Sequence, residues 1–151
     1  MKHLIATPIG NMIATADEHG ITSLDFTDET FPAALSEHPL LLRLEAELND
    51  YFAGNRRTFT LPLNPHGTPF QKKVWETLRT IPYGETLSYA AEAARFGNPK
   101  AVRAVASANA RNPIAILIPC HRVIASGGGI GGYSGGIWRK EFLLKLEKGN
   151  R

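Results

Sequence analysis

Three consecutive residues, Cys120-His121-Arg122, place a thiol, an imidazole and a guanidinium side by side in a chain of 151 residues with a single cysteine. One cysteine excludes an intramolecular disulfide and any multi-cysteine metal or iron–sulfur site. It leaves one thiol to explain. A buried cysteine is by default a small hydrophobe. As a nucleophile it must become a thiolate, and an ordinary thiol with a pKa of about 8.5 needs a nearby base or positive charge for that. His121 and Arg122 are the groups able to supply them. Neighbours in sequence point in different directions, so a water is expected to link Cys120 to His121. A histidine base is normally oriented by a third group, often a carboxylate. Glu147 falls three and four residues after Leu144 and Leu143 on the last helix, where a carboxylate on an apolar stripe needs a partner.

These groups need elements to hold them. The apolar run of residues 113–119, bounded by Pro113 and Pro119, reads as a buried extended segment delivering the thiol. The last helix is expected over residues 137–148, burying Trp138, Phe142, Leu143, Leu144 and Leu146. Between them lies a glycine-rich segment ending Gly131-Gly132-Tyr133-Ser134-Gly135-Gly136. It contains G-x-G-x-x-G without the strand–helix context or downstream acid of a dinucleotide site. It reads instead as a pocket wall whose backbone approaches a flat ligand, with Tyr133 and Ser134 at its edge.

Upstream, Thr68-Pro69-Phe70-Gln71 announces a helix with a capping box, carrying the stripe Phe70, Val74, Trp75, Leu78 and Ile81. A second helix spans residues 88–96 and ends at Gly97. A third starts at Asn98-Pro99, with Asn98 as its N-cap, and runs to about residue 110. Two short helices joined by Gly97-Asn98 fit a helix-turn-helix. The exposed face of the third, Lys100, Arg103, Ser107 and Arg111, is basic, and its alanines keep it slim enough to approach a nucleic-acid groove.

The first part of the chain carries no comparable chemistry. Residues 3–6, 12–16 and 21–26 are β-prone and separated by turn signals, and residues 40–52 show a helical stripe ending at Gly54. His3, His19 and His38 lack metal-like spacing. The expected fold is α/β (α+β): a small antiparallel-sheet-plus-helix domain, residues 1–63, then a mostly helical domain with a helix-turn-helix, residues 64–151. Charge follows this division. The first part carries four Lys/Arg against nine Asp/Glu, net −5, and the second carries thirteen against five, net +8. A basic half joined to an acidic one suggests a polyanionic partner or mutual attraction of the halves. No apolar run is long enough to span a membrane, and no secretory signal is visible.

Ile118-Pro119-Cys120-His121-Arg122-Val123 strongly resembles the active-site signature of the O6-alkylguanine-DNA alkyltransferases, the methylated-DNA–protein-cysteine methyltransferases. The resemblance includes Gly84-Glu85-Thr86-Leu87-Ser88-Tyr89, the stretch from Gly97 to Val105, Asn112-Pro113 and Gly132-Tyr133-Ser134-Gly135-Gly136. It covers residues 68–147 in order. It implies direct, stoichiometric and irreversible repair: the alkyl group of O6-alkylguanine, and of O4-alkylthymine, moves from flipped-out base to Cys120. It implies His121 as base through a water, Glu147 orienting His121, and Asn112 as a hinge tying the preceding turn to the catalytic segment. Tyr89 would rotate the phosphate and bond the purine. The carbonyls of Cys120 and Val123 would accept from the guanine amino group, with Tyr133 and Ser134 near O6. Arg103 would fill the base stack, and Asn98, Lys100 and Ser126 would join it on DNA, through the minor groove.

The resemblance further implies a monomer acting on double-stranded DNA without cofactor, metal or membrane. Its place would be the cytoplasm, at the nucleoid, or the nucleus in a eukaryote. Some family members bind zinc through N-terminal cysteines, which are missing here, so no such zinc is expected. Ala106 stands where many members have glycine. Two rival readings remain: a non-catalytic damage-binding module, against which Cys120 argues, and a thiol hydrolase built on Cys120 and His121.

Overall fold

In a computed structural model, residues 2–30 and 36–150 are described. The chain divides into two compact units, Met1–His66 and Gly67–Arg151.

In the first unit, β1 (Lys2–Thr7), β2 (Gly10–Asp17) and β3 (Gly20–Phe26) form an antiparallel meander in the order β1-β2-β3. Alternation along β2 buries Met12, Ala14 and Ala16, the period-two pattern of a sheet with one covered face. Helix α1 (Pro39–Phe52) buries Leu41, Leu44, Leu48 and Tyr51, and His38 caps its start. Pro62 and Asn64 exchange backbone hydrogen bonds with Ile21, so the chain stays with this unit past Leu63.

The second unit is built on α2 (Pro69–Leu78), α3 (Tyr89–Phe96), α4 (Val102–Ala110) and α5 (Ile137–Gly149). The capping box of α2 forms as its sequence requires: Thr68 Oγ1 accepts from Gln71 N at 3.1 Å, and Gln71 Oε1 accepts from Thr68 N at 3.0 Å. Such a cap contributes about 1 kcal/mol. Ile81 is buried but lies beyond the helix end. Ser88 caps α3, and Gly97 ends it with φ +107, a left-handed turn that glycine adopts without Cβ strain. Val74, Ala93, Phe96, Val105 and Ala108 pack α2, α3 and α4 together. The buried Trp75 indole donates to Ala108 O at 2.9 Å.

Three local expectations change. Asn98 does not begin α4. Its side chain accepts from Lys100 N at 3.2 Å, closing a turn, and the helix starts at Val102 behind Ala101, which offers no side-chain cap. Lys100 and Arg111 therefore flank α4, although they stay exposed with Arg103 and Ser107. The run between Pro113 and Pro119 is buried but not extended. Leu117 N bonds Ala115 O, Ile118 N bonds Ile114 O, and Ile116 takes φ +71. Helix α5 buries Lys140, Leu143 and Glu147, while Trp138 and Phe142 are exposed. No helix among the described residues is long and apolar enough to cross a membrane.

Candidate active site

The thiol sits at the start of a 3-10 turn, Cys120–Arg122, which leads directly into β5 (Val123–Ile124). This short strand pairs in parallel with β4 (Leu87–Ser88). Ser88 also caps α3, and Tyr89 is its first residue. Cys120 and Tyr89 are thus fixed to one two-residue ladder, a link the sequence did not announce.

Asn112 holds the turn from the other side. Its Nδ2 donates to Ile118 O at 2.7 Å and contacts Cys120 Sγ at 3.3 Å, while its Oδ1 accepts from Ile114 N at 3.0 Å. One amide therefore spans the turn and touches the sulfur. Cys120 is half-buried. Burial pushes its thiol up, against the pull of the Asn112 hydrogen bond and the Lys140 charge. The thiol at rest is protonated at neutral pH.

Behind it, His121, Arg122 and Glu147 are all buried. His121 Nε2 lies 2.7 Å from Glu147 Oε2. Arg122 forks onto the same carboxylate, Nε to Oε1 at 2.8 Å and Nη2 to Oε2 at 3.0 Å, and its Nη1 donates to Ile81 O at 2.7 Å. Burial opposes ionisation of Glu147. The charge and hydrogen bonds of His121 and Arg122 overcome it and hold the carboxyl well below the usual carboxylate range. Burial keeps His121 below its ordinary value despite Glu147. A neutral imidazole beside a carboxylate donates from Nε2 and leaves its lone pair on Nδ1. That Nδ1 is buried and has no hydrogen-bond partner among the described residues. Arg122 therefore supports the carboxylate rather than the thiol, contrary to its expected role.

The cation near the thiol is Lys140, which sequence reading missed. It is fully buried, and its Nζ donates to Val123 O and to Gly132 O, the latter at 3.0 Å. Burial lowers its pKa and the Cys120 charge raises it. The available signal was spacing: Lys140, Leu143 and Glu147 share a helix face at i, i+3 and i+7.

In front of the sulfur is a cavity of about 230 Å³ lined by Tyr89, Ala106, Asn109, Ala110, Cys120, Gly132, Tyr133 and Ser134. It brings together Tyr89, Cys120, Tyr133 and Ser134 as the sequence reading expects, and adds Asn109. Gly131, at φ +74, packs on Tyr89. A Cβ there would lie 2.8 Å from the Tyr89 hydroxyl, which in turn accepts from Gly132 N at 3.3 Å. Val123 is not in the lining, and its carbonyl already accepts from Lys140. Arg103, Asn98, Lys100 and Ser126 are exposed. Among the described residues no three His, Cys, Asp or Glu side chains converge as metal ligands.

The chain that carries this thiol, buried His–Glu–Arg cluster and glycine-walled cavity is similar to known proteins over nearly its whole length. Residues 69–149 match the family 6-O-methylguanine DNA methyltransferase, DNA binding domain, and residues 1–65 match its ribonuclease-like domain. The constitutive methylated-DNA–protein-cysteine methyltransferase of Bacillus subtilis is 47% identical over 151 residues, covering 94% of this chain and 92% of that protein. The Methanosarcina barkeri methylated-DNA–protein-cysteine methyltransferase is 48% identical over 152 residues, covering 97% and 96%. The crystal structure of Mycobacterium tuberculosis OGT in complex with DNA superposes with a TM-score of 0.89 at 42% identity, covering 99% of this chain and 93% of that one. The chain belongs to the methylated-DNA–protein-cysteine methyltransferase family.

Proposed function

We propose that this chain repairs DNA directly, moving the alkyl group of O6-alkylguanine, and of O4-alkylthymine, irreversibly onto Cys120. The observation that carries this reading is the Cys120 sulfur on a cavity wall, clasped by Asn112, with an unoccupied His121 nitrogen in the cluster behind it. The target atom lies inside a duplex, so the base must leave the stack to reach the cavity. Residues 67–151 read as the DNA-binding and transfer unit and residues 1–66 as its scaffold. Arg103 on α4 fills the gap in the stack from the minor-groove side, with Asn98, Lys100 and Ser126 on the backbone. Tyr133 and Ser134 border the alkylated oxygen.

Proton and electron flow then balance. The thiol proton passes through a water to His121 Nδ1, whose other nitrogen is steadied by Glu147. The sulfur attacks the alkyl carbon, the carbon–O6 bond breaks, and its electron pair stays on the purine. Tyr89 donates toward the ring as charge develops there, which makes guanine a better leaving group. Guanine finally takes up the proton that the thiol lost. No cofactor or metal is consumed, and a thioether at Cys120 ends the protein's working life. The protein acts as a monomer on DNA in the cytoplasm.

Incubation with a duplex containing O6-methylguanine, followed by mass spectrometry, tests this. One methyl group on Cys120 per chain is expected, and none on Cys120→Ala. Tight binding of damaged DNA without modification would indicate a damage-binding module instead. Repeated turnover on an acyl substrate would indicate a hydrolase.

A further inference from the structure

One buried group lies outside this mechanism. Glu92, on α3, is fully buried. Asn109 Nδ2, from α4, donates to its Oε1 at 2.6 Å. The two remaining acceptors of the pair, Glu92 Oε2 and Asn109 Oδ1, are also buried, and neither has a hydrogen-bond partner among the described residues. Two buried acceptors without donors are costly. A single proton satisfies both: on Oε2 it lets the carboxyl donate to the amide oxygen while the amide donates back. Asn109 is at the same time part of the cavity wall that carries Cys120.

We propose that Glu92 is a positioning residue for the transfer: protonated, it forms a two-bond acid–amide pair with Asn109 that fixes this wall and keeps negative charge away from the thiol. The proposal rests on the transferase reading above. Burial pushes the Glu92 carboxyl up to about 7, against the Asn109 hydrogen bond, and its charge raises the Cys120 thiol. The other charged groups of neighbouring elements are accounted for. Lys72, Lys73 and Glu76 of α2, Arg95 of α3 and Arg103 of α4 are exposed. His121 and Arg122 are bound to Glu147. Lys140 is engaged by the Val123 and Gly132 carbonyls and is felt at Cys120. As pH rises through neutrality the pair loses one bond and the thiol gains an anionic neighbour.

Wild type, Glu92→Gln and Glu92→Leu separate charge from shape. Glutamine keeps both bonds without a titrating proton, and leucine keeps neither. The rate of Cys120 alkylation is measured across the pH range with iodoacetamide and with free O6-benzylguanine. The glutamine variant is expected to exceed wild type by about threefold or more near pH 8, a thiol shift of about half a unit, with the gap closing near pH 6. The leucine variant should react more slowly with O6-benzylguanine than the glutamine variant at every pH. Superimposable pH profiles for wild type and Glu92→Gln would overturn the proposal, as would equal rates for the two variants. If Glu92→Gln does not fold, carbon-13 titration of the Glu92 carboxyl in wild type decides: a midpoint near 7 supports the pair, and one near 4.5 removes it. Failure of wild type to accept the benzyl group would sink the transferase reading alone, because the iodoacetamide and carbon-13 results still report on Glu92.

Discussion

Glu147 serves an imidazole and a guanidinium at once, and this sets what its loss should do. Its carboxylate is the acceptor for His121 and for both arms of an Arg122 fork. Removing one partner of a buried pair leaves an uncompensated charge and costs about 3–5 kcal/mol. Glu147→Gln keeps the volume but not the charge, so it should slow transfer to Cys120 and lower stability, while binding of duplex DNA is expected to be retained. Rates with O6-benzylguanine, urea unfolding and duplex binding check the three parts. The pH dependence has a definite sign. The folded carboxyl titrates below its unfolded value, so its stabilisation is present above about pH 4.5 and is lost progressively as pH falls below that. Urea midpoints should therefore drop on acidification more steeply in wild type than in Glu147→Gln. Lys140→Met tests the other buried cation. Without its charge the thiol should move further up, so the pH midpoint of Cys120 alkylation rises. An unchanged midpoint would show that Lys140 only tethers the Val123 and Gly132 carbonyls. The pairing of Glu147 with His121 was legible in sequence, because a carboxylate on an apolar stripe demands a partner. Lys140 was not, because a lysine near a chain's end ordinarily faces water.

Among the elements, the legible ones were those whose ends are fixed by local hydrogen bonds. The Thr68–Gln71 box, the Ser88 cap and the left-handed Gly97 each act within four residues, so sequence alone specifies them. The misread elements depend on partners far along the chain. Helix α5 was oriented by its large apolar residues, yet its inward face is chosen by Lys140 and Glu147 meeting Val123, Gly132, His121 and Arg122. The run before Cys120 has a strand's composition, but Asn112 folds it into turns and Ile116 bears the left-handed backbone. For a β-branched residue that conformation stores about 1–3 kcal/mol, maintained by the surrounding structure. The glycine-rich loop offers a direct test. Gly131→Ala drives a methyl into Tyr89 from a positive-φ position, whereas Gly132→Ala meets nothing within 4 Å. The first should therefore reduce reaction with free O6-benzylguanine far more than the second. Comparable losses would mean that Tyr89 does not depend on that contact.

For the molecule as a whole, the separation of charge has a kinetic meaning. The basic part, net +8 over residues 64–151, carries both the thiol and the exposed Arg103. Affinity for DNA should fall steeply with salt, because phosphate contacts release counterions. Arg103→Ala should weaken repair of duplex DNA much more than reaction with the free benzylated base, which needs no help leaving a stack. Equal losses on both substrates would remove Arg103 from base flipping. The raised thiol bears on a different problem. A protein with one cysteine and one use has no second sulfur to rescue it if the first is oxidised, and peroxides attack thiolates rather than thiols. Burial that keeps Cys120 protonated thus works as a preservative. It should slow oxidation of the sulfur by peroxide during the wait for damage.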